Sequence, residues 1–354
     1  MTQPEQPTPG ERLSENAFLA LRLLFPFVTA LFVAGLILLA VGKNPLDVYW
    51  LMAKEAFGSG RRLASTFSAV TPLLFTGVAT AVCFRTGIFN IGVEGAFILG
   101  GLAGAFVGFS LSGLPPLVHI GLALAAAALV GLVWLLIPGI LRARWRVDEV
   151  VSCLMLNYVA LGITGFLVNG ILLAPNAGNN MTRLVQASAK LPRLMPPSSL
   201  NAGLLIALAV LVLYGLWTRQ AVAGYESKLV GLNPRFTTAT GISVRSTIVR
   251  VMVLSGLIAG LGGGAHALGV VYRFTEGFSP GYGFTGMAVA LLGRHTAWGI
   301  FLGAVVFGAL SSAGTTVQLF SDIPLDLVNV LEGTVMIFAV VEVARLLRRK
   351  GRSG

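Results

Sequence analysis

About ten apolar runs, most of them as long as a lipid bilayer core is thick, decide what this chain can fold into. They are Leu23–Val41, Thr66–Phe84, Ile88–Phe109, Leu117–Ile137, Val150–Leu172, Leu200–Trp217, Ile248–Val270, Phe284–Leu292, Trp298–Val317 and Leu325–Leu346. A helix crosses the hydrocarbon core with about 20 residues, and in lipid only helices and closed barrels satisfy every backbone group. The expected fold is therefore all-α: a polytopic integral membrane protein with about ten transmembrane helices, one or more broken or short. Composition agrees, since 55% of the 354 residues are hydrophobic and 11% charged, against about 25% charged in a soluble domain. No single core could hide so much apolar surface, so lipid must solvate much of it.

Cys83 and Cys153 both lie in apolar runs and give neither a disulfide framework nor a metal site. The net charge of +11 reads as the surplus of Lys and Arg on cytoplasmic loops, not as a nucleic-acid surface. With the N-terminus inside and one crossing per run, the 25 Lys and Arg residues divide about two to one in favour of the cytoplasm. Both termini are then cytoplasmic. Residues 1–17 form a cytoplasmic tail without a cleavable-signal pattern, 18–349 the membrane domain, and 350–354 a second tail. Within the domain, 174–199 is an external loop and 219–250 a cytoplasmic one.

Two places resist this scheme. Between Lys43 and Arg62 the chain is charged but contains LDVYWLMAKEAF, an amphipathic stretch suited to the membrane surface. Between Phe84 and Gly95 it reads FRTGIFNIGVEG, a poor continuous helix for lipid. Irregular backbone at membrane depth is tolerated only where protein or water covers it. Gly87–Gly101 and Gly281–Gly293 echo each other as glycine-punctuated starts of helices that run in opposite directions. Inverted repeats with broken helices build the central path of many transporters, although shared glycine-rich composition accounts for the likeness equally well.

Several chemistries find no support. There is no G-x-x-x-x-G-K-[ST] loop to cradle ATP phosphates. GLGGG at Gly260–Gly264 lacks the dinucleotide spacing, and His119, His266 and His295 lack metal-ligand spacing. Ser255 and His266 share a helical face but stand roughly 16 Å apart along it, too far for a nucleophile and its base. The same helix carries two rows of small residues, Ser255–Ala259–Gly263 and Gly256–Gly260–Gly264, which let backbones approach closely. Tight packing is the first expectation, and a surface that slides during gating is compatible with it.

Ionisable and amide side chains inside membranes face an interior or an aqueous cavity. Asn90, Glu94, Asn157, Asn169 and Glu332, with Phe89 beside Asn90, are therefore candidates for a translocation path. Structural hydrogen bonding is the plainer alternative. Only two carboxylates lie well inside the runs, so no proton relay is expected. Asp148 and Glu149 follow RARWR at a helix start and read as a solvated cap.

The longest charged interruption in the second half is Arg219–Arg250, RQAVAGYESKLVGLNPRFTTATGISVRSTIVR. It predicts a short amphipathic helix over Glu226–Val230, a turn at Gly231–Pro234, and a second short helix over Arg235–Thr240. Pro234 and Gly241 are the start and stop residues of the second. A short helix along the cytoplasmic face suits docking, and without an ATP loop of its own the chain would need a separate motor.

The segments GYESKLVGLNPRFTTATGI, FRTGIFNIGVEGAFILGG and DEVVSCLMLNYVA resemble the permease subunit of bacterial ABC importers, in the branch handling simple sugars, branched-chain amino acids and nucleosides. The likeness is greatest to the larger permease of nucleoside importers that work with a basic membrane lipoprotein, and runs from about Phe18 to Arg349. It implies a prokaryotic inner-membrane transport subunit working by alternating access, not itself an enzyme, with nucleosides as the solute. The alternatives are a simple sugar or other small polar solute on the same machinery and, outside the family, an ion-coupled secondary transporter. Implied partners are a second permease subunit, a cytoplasmic ATP-binding subunit in two copies, an external solute-binding lipoprotein, membrane lipid and a small polar solute, and no nucleic acid. No cofactor is implied for this chain, since ATP-Mg is used by the ATPase. By motif, Gly224, Tyr225, Glu226, Gly231, Asn233 and Pro234, with Lys228 among them, fall on the coupling helix that seats in the ATPase. Asn90 and Glu94 fall on the family's NIG-x-EG segment and Asn157 on its LNY segment. The chain departs from the pattern at Ala96, where many relatives carry Gln, and at Glu332, where a neutral polar residue is common.

Overall fold

The computed structural model describes residues 28–29, 31–40, 42–175 and 178–320, and the isolated positions Val330, Gly333, Thr334 and Ile337. Both tails and Glu332 lie outside these residues, as does the run Leu325–Leu346 apart from the four isolated positions.

The helices are α1 (Leu31–Ala40), α2 (Pro45–Phe57), α3 (Gly60–Phe84), α4 (Val93–Ser110), α5 (Pro116–Trp145), α6 (Glu149–Asn169), α7 (Gly203–Gln220), α8 (Val222–Leu232), α9 (Pro234–Ala239), α10 (Val244–His266), α11 (Tyr282–Leu292) and α12 (Ala297–Phe320). Among the described residues seven helices are long and apolar enough to cross a membrane: α3 to α7, α10 with its continuation to Val271, and α12. The pair α1 and α2, bent by 119°, makes an eighth if it counts as one span. The amphipathic stretch after Lys43 is α2. Asn44 caps it, and its face of Val48, Met52 and Ala56 is buried against α12 and α3. α11, expected to be short, has 11 residues, roughly 16 Å or half the hydrocarbon thickness.

α10 is the hub, packing most extensively on α5, then α4 and α3. Its glycines explain the closeness. A Cβ at Gly260 would collide with the Ala127 carbonyl of α5, and one at Gly263 with the Phe97 carbonyl of α4. Gly256 and Gly131 are pressed backbone to backbone in the same way. Both small-residue rows therefore serve tight packing, where van der Waals contact stands in for a hydrophobic drive that lipid does not supply. The faces of α5 and α6 turned away from this hub are exposed and apolar, with Leu122, Leu129, Val133, Met155 and Phe166 among them.

The loop after α6 is pinned by isolated bridges between Leu173 and Thr182, Met181 and Thr275, and Arg193 and Asn201. His119 is fully buried, 2.9 Å from Ser188 Oγ and 3.1 Å from the Val107 carbonyl. It ties this loop to α4 and α5 and is structural.

Candidate functional site

α3 stops at Phe84 and helix resumes at Val93, so the broken segment at FRTGIFNIGVEG is real, and α4 starts later than Ile88. Asn90 makes the irregular backbone tolerable. It is fully buried; its Nδ2 donates to Ser255 Oγ on α10 at 2.9 Å, and its Oδ1 accepts from the Gly92 N–H at 2.9 Å. The thiols of Cys83 on α3 and Cys153 on α6 lie 3.5 and 3.4 Å from the same amide. One side chain thus joins three helices to the loop. Asn157, also buried, accepts from the Gly95 N–H at 2.9 Å and donates to the Ile91 carbonyl at 3.1 Å. Together the two amides satisfy backbone groups that the break in the helix leaves without partners. Both are engaged within the protein.

Glu94 stands in the first turn of α4 and is buried. Its Oε2 accepts from the Gly283 N–H, in the first turn of α11, at 2.6 Å. The two glycine-punctuated helix starts therefore meet. Each helix N-terminus carries roughly half a positive charge, so one carboxylate sits between two positive ends. Gly283 has to be glycine, because a Cβ there would lie 2.6 Å from Glu94 Cα. Gly281 precedes it at φ 97°, a left-handed turn that aims the short helix. Beside this junction His266, Phe97, Phe278 and Tyr282 cluster, with His266 5.2 Å from the Tyr282 ring and 5.3 Å from that of Phe278. A π-helical turn, Ala267–Val271, follows His266 at once, a deviation frequent at functional sites.

The island forms a second centre. α7 breaks at Ala221, α8 runs from Val222 to Leu232, Asn233 alone interrupts it, and α9 follows. Asn233 Oδ1 accepts from the Phe236 N–H at 3.0 Å, with Pro234 in the first turn and Gly241 at φ 84°. The expected two-helix pattern is present, but the first helix starts earlier and runs longer than Glu226–Val230. Gly224 lies inside α8, where only glycine fits against the Trp217 carbonyl. Gly224, Ser227 and Val230 face inward. Val222, Tyr225, Leu232 and Phe236 are 58–73% exposed, and Lys228 is exposed beside them. Glu226 pairs within the chain, 3.4 Å from Arg250.

The two centres touch. Gly231 of α8 lies on the carbonyl of Arg85 and on Thr86, and Gly87 (φ 76°) faces Gly231 Cα. Arg85 Nη2 donates to the Thr218 carbonyl at 3.1 Å. Phe89, 42% exposed, stacks on Phe84 at 4.8 Å, and its N–H donates to Glu149 Oε1 at 3.4 Å. Glu149 corrects an expectation. It is buried, not solvated, because Arg142 across the α5–α6 turn pairs with it at 3.1 Å. Asp148 keeps the capping role, accepting from Val150 and Val151. Nearby, Arg294 (φ 49°) and His295 (φ 57°) both hold left-handed backbone. The His295 carbonyl accepts from Tyr214 at 2.7 Å. Burial, and then the Arg85 charge, push its imidazole down to about 4.

Phe89, Asn90, Glu94 and Asn157 are thus brought into one region around the Arg85–Gly92 loop and the start of α4. Asn169 stands apart, exposed at the end of α6, and Glu332 lies outside the described residues. The residues that complete the region, Ser255, Gly283, Arg85 and Glu149, were not singled out as site residues. The echo between the two glycine-rich segments was the one signal that pointed towards Gly283.

The family profile described as branched-chain amino acid transport system, permease component, matches residues 62–340. The guanosine ABC transporter permease protein of Bacillus subtilis is 34% identical over 93% of this chain and 96% of its own length. A nucleoside ABC transporter permease protein of Lactococcus lactis is 33% identical over 91% of each chain. A glucose ABC transporter permease protein of Haloferax volcanii is 32% identical over 88% of this chain and 85% of its own. No solved structure matches the chain.

Proposed function

The chain belongs to the family of branched-chain amino acid transport system permease components, and on that premise we propose that it is the membrane-spanning subunit of an ATP-driven importer that carries nucleosides into the cell by alternating access. The likeness to guanosine and nucleoside permeases over nearly the whole chain is the observation that carries the substrate class. The glucose permease relative keeps a simple sugar as the second reading.

In this reading α8 and α9 are the cytoplasmic coupling element and both termini are cytoplasmic. The exposed face of Val222, Tyr225, Leu232 and Phe236 is an apolar patch of the kind that marks a protein contact, and it seats in a separate ATP-binding subunit that uses ATP-Mg. A second permease and an external binding lipoprotein complete the assembly. Movement of α8 reaches the Arg85–Gly92 loop through Gly231, and that loop leads straight into Glu94 and its bond to α11. Interfaces packed this closely shift between discrete arrangements and do not deform gradually.

The test is uptake of labelled guanosine, with glucose as competitor, in proteoliposomes carrying this chain, the second permease and the external binding lipoprotein, with and without the ATP-binding subunit. Vanadate-sensitive uptake that needs the ATP-binding subunit is expected, with little competition from glucose. Uptake without the ATP-binding subunit, or uptake driven by a proton or sodium gradient, would sink the reading. Lys228→Glu, on the exposed face, should weaken co-purification of the ATP-binding subunit without altering the melting temperature of the chain.

A further inference from the structure

A cleft of about 740 Å³ opens between α9, the α5–α6 turn and the start of α10. Four arginines line it, Arg142, Arg146, Arg235 and Arg245, and no carboxylate does. Arg142 is neutralised by Glu149. Arg146, Arg235 and Arg245 form no ion pair among the described residues. They come from three separate elements, so the fold gathers three uncompensated positive charges around one recess. Like charges brought together this way repel one another unless an anion lies between them.

Arg146 is held in place at a conformational cost. Its φ is 56°, in the left-handed region that side chains other than Gly, Asn and Asp disfavour, and the carbonyls of Arg142 and Leu141 fix the turn. Such outliers cluster at ligand clamps. Ser243, Val244 and Arg245 bring the first turn of α10 to the same recess, adding the positive end of a helix to the guanidinium groups.

We propose that this cleft binds a phosphate group, carried either by a lipid headgroup or by a soluble phosphorylated molecule. Guanidinium forks match phosphate oxygens two at a time. Three forks and a helix N-terminus offer more donors than a single carboxylate of a protein partner can use. Occupancy would tie α9 to α5 and α10, since Gly231, Pro234 and Arg235 share the cleft with Arg146 and Arg245. The proposal goes beyond the import reading, and binding is measured on this chain alone, so either can fail without the other.

The experiment uses the full chain in phosphatidylcholine nanodiscs, titrated by calorimetry with inorganic phosphate and with guanosine monophosphate. A parallel arm uses nanodiscs containing phosphatidylglycerol and reads bound lipid by native mass spectrometry. At least one probe should bind saturably and more weakly at high salt. Arg146→Gly combined with Arg245→Ala should weaken binding by tenfold or more. Arg146→Gly removes the charge while relieving the left-handed backbone, so a lost fold does not explain lost binding. If the double variant fails to purify, Arg245→Gln alone should still weaken binding severalfold. Binding in the soluble arm alone, or in the lipid arm alone, supports the proposal and names the source. Binding of none of the three probes would overturn it. So would equal binding by wild type and variants.

Discussion

Gly231→Ala tests whether α8 acts on the buried loop through direct contact. A Cβ at Gly231 would lie 3.1 Å from the Thr86 carbonyl carbon and 3.2 Å from that of Arg85, and closer still to the Arg85 oxygen. All three are backbone atoms, so the overlap is relieved only by moving α8 or the loop. Without the contact, Gly to Ala in a helix would stabilise by about 1 kcal/mol. Overpacking of this kind costs about 1–3 kcal/mol, which corresponds to about a 5- to 150-fold shift of an equilibrium between two arrangements. The sign of the change therefore separates the two cases. ATP-driven guanosine uptake in reconstituted proteoliposomes should fall at least fivefold, while co-purification of the ATP-binding subunit persists because the exposed face of α8 is untouched. Wild-type uptake, or a rise in melting temperature without loss of uptake, would refute transmission through Gly231.

Glu94→Ala leaves the Gly283 N–H of α11 buried without its acceptor, a loss of about 1–3 kcal/mol read as a lower melting temperature of the purified chain; Glu94→Gln keeps an oxygen there and should lose less. Gly260→Ala drives a Cβ into the Ala127 carbonyl and should lower stability by about 1–3 kcal/mol, whereas Gly162→Ala, with nothing within 4 Å, should leave the melting temperature unchanged or raised. His295 titrates at about 4 in the folded chain, below its ordinary value of 6.5. Its neutral form is the one the fold favours, so its contribution is complete above pH 6.5 and is lost as pH falls from there through 4. His295→Asn, which tolerates the left-handed backbone, should flatten the melting temperature across that window.

The spans were legible because their apolar runs have the length that lipid demands, and the break at Phe84–Gly95 because Arg85, Asn90 and Glu94 could not face lipid among three glycines. The partners of these residues were not legible. Ser255 is 165 residues from Asn90 and Gly283 is 189 from Glu94, and pairing at that distance is decided by how α10 and α11 pack. The first helix of the island was drawn too short, at Glu226–Val230, for a related reason: Gly224 lies inside it by close approach to the Trp217 carbonyl, a contact that only the turn at Ala221 creates. Glu149 was misplaced because its partner Arg142 lies on the preceding helix and meets it only through the α5–α6 turn.

Glycine, more than charge, connects the two centres. Gly231 against Arg85 and Gly283 against Glu94 are contacts at which a Cβ would meet backbone, and between them runs a loop whose polar groups Asn90 and Asn157 already bond. A backbone contact has no side chain to rotate out of the way. On the proposed function, a displacement at Gly231 would therefore press directly on the Arg85–Gly92 loop. The hydrogen bonds of Asn90 and Asn157 tie that loop to the start of α4, so on the proposed function the loop and Glu94 would move together. Because Glu94 accepts from the Gly283 N–H at the N-terminus of α11, the junction of the two broken helices is, on the proposed function, the place where such a movement would open a path.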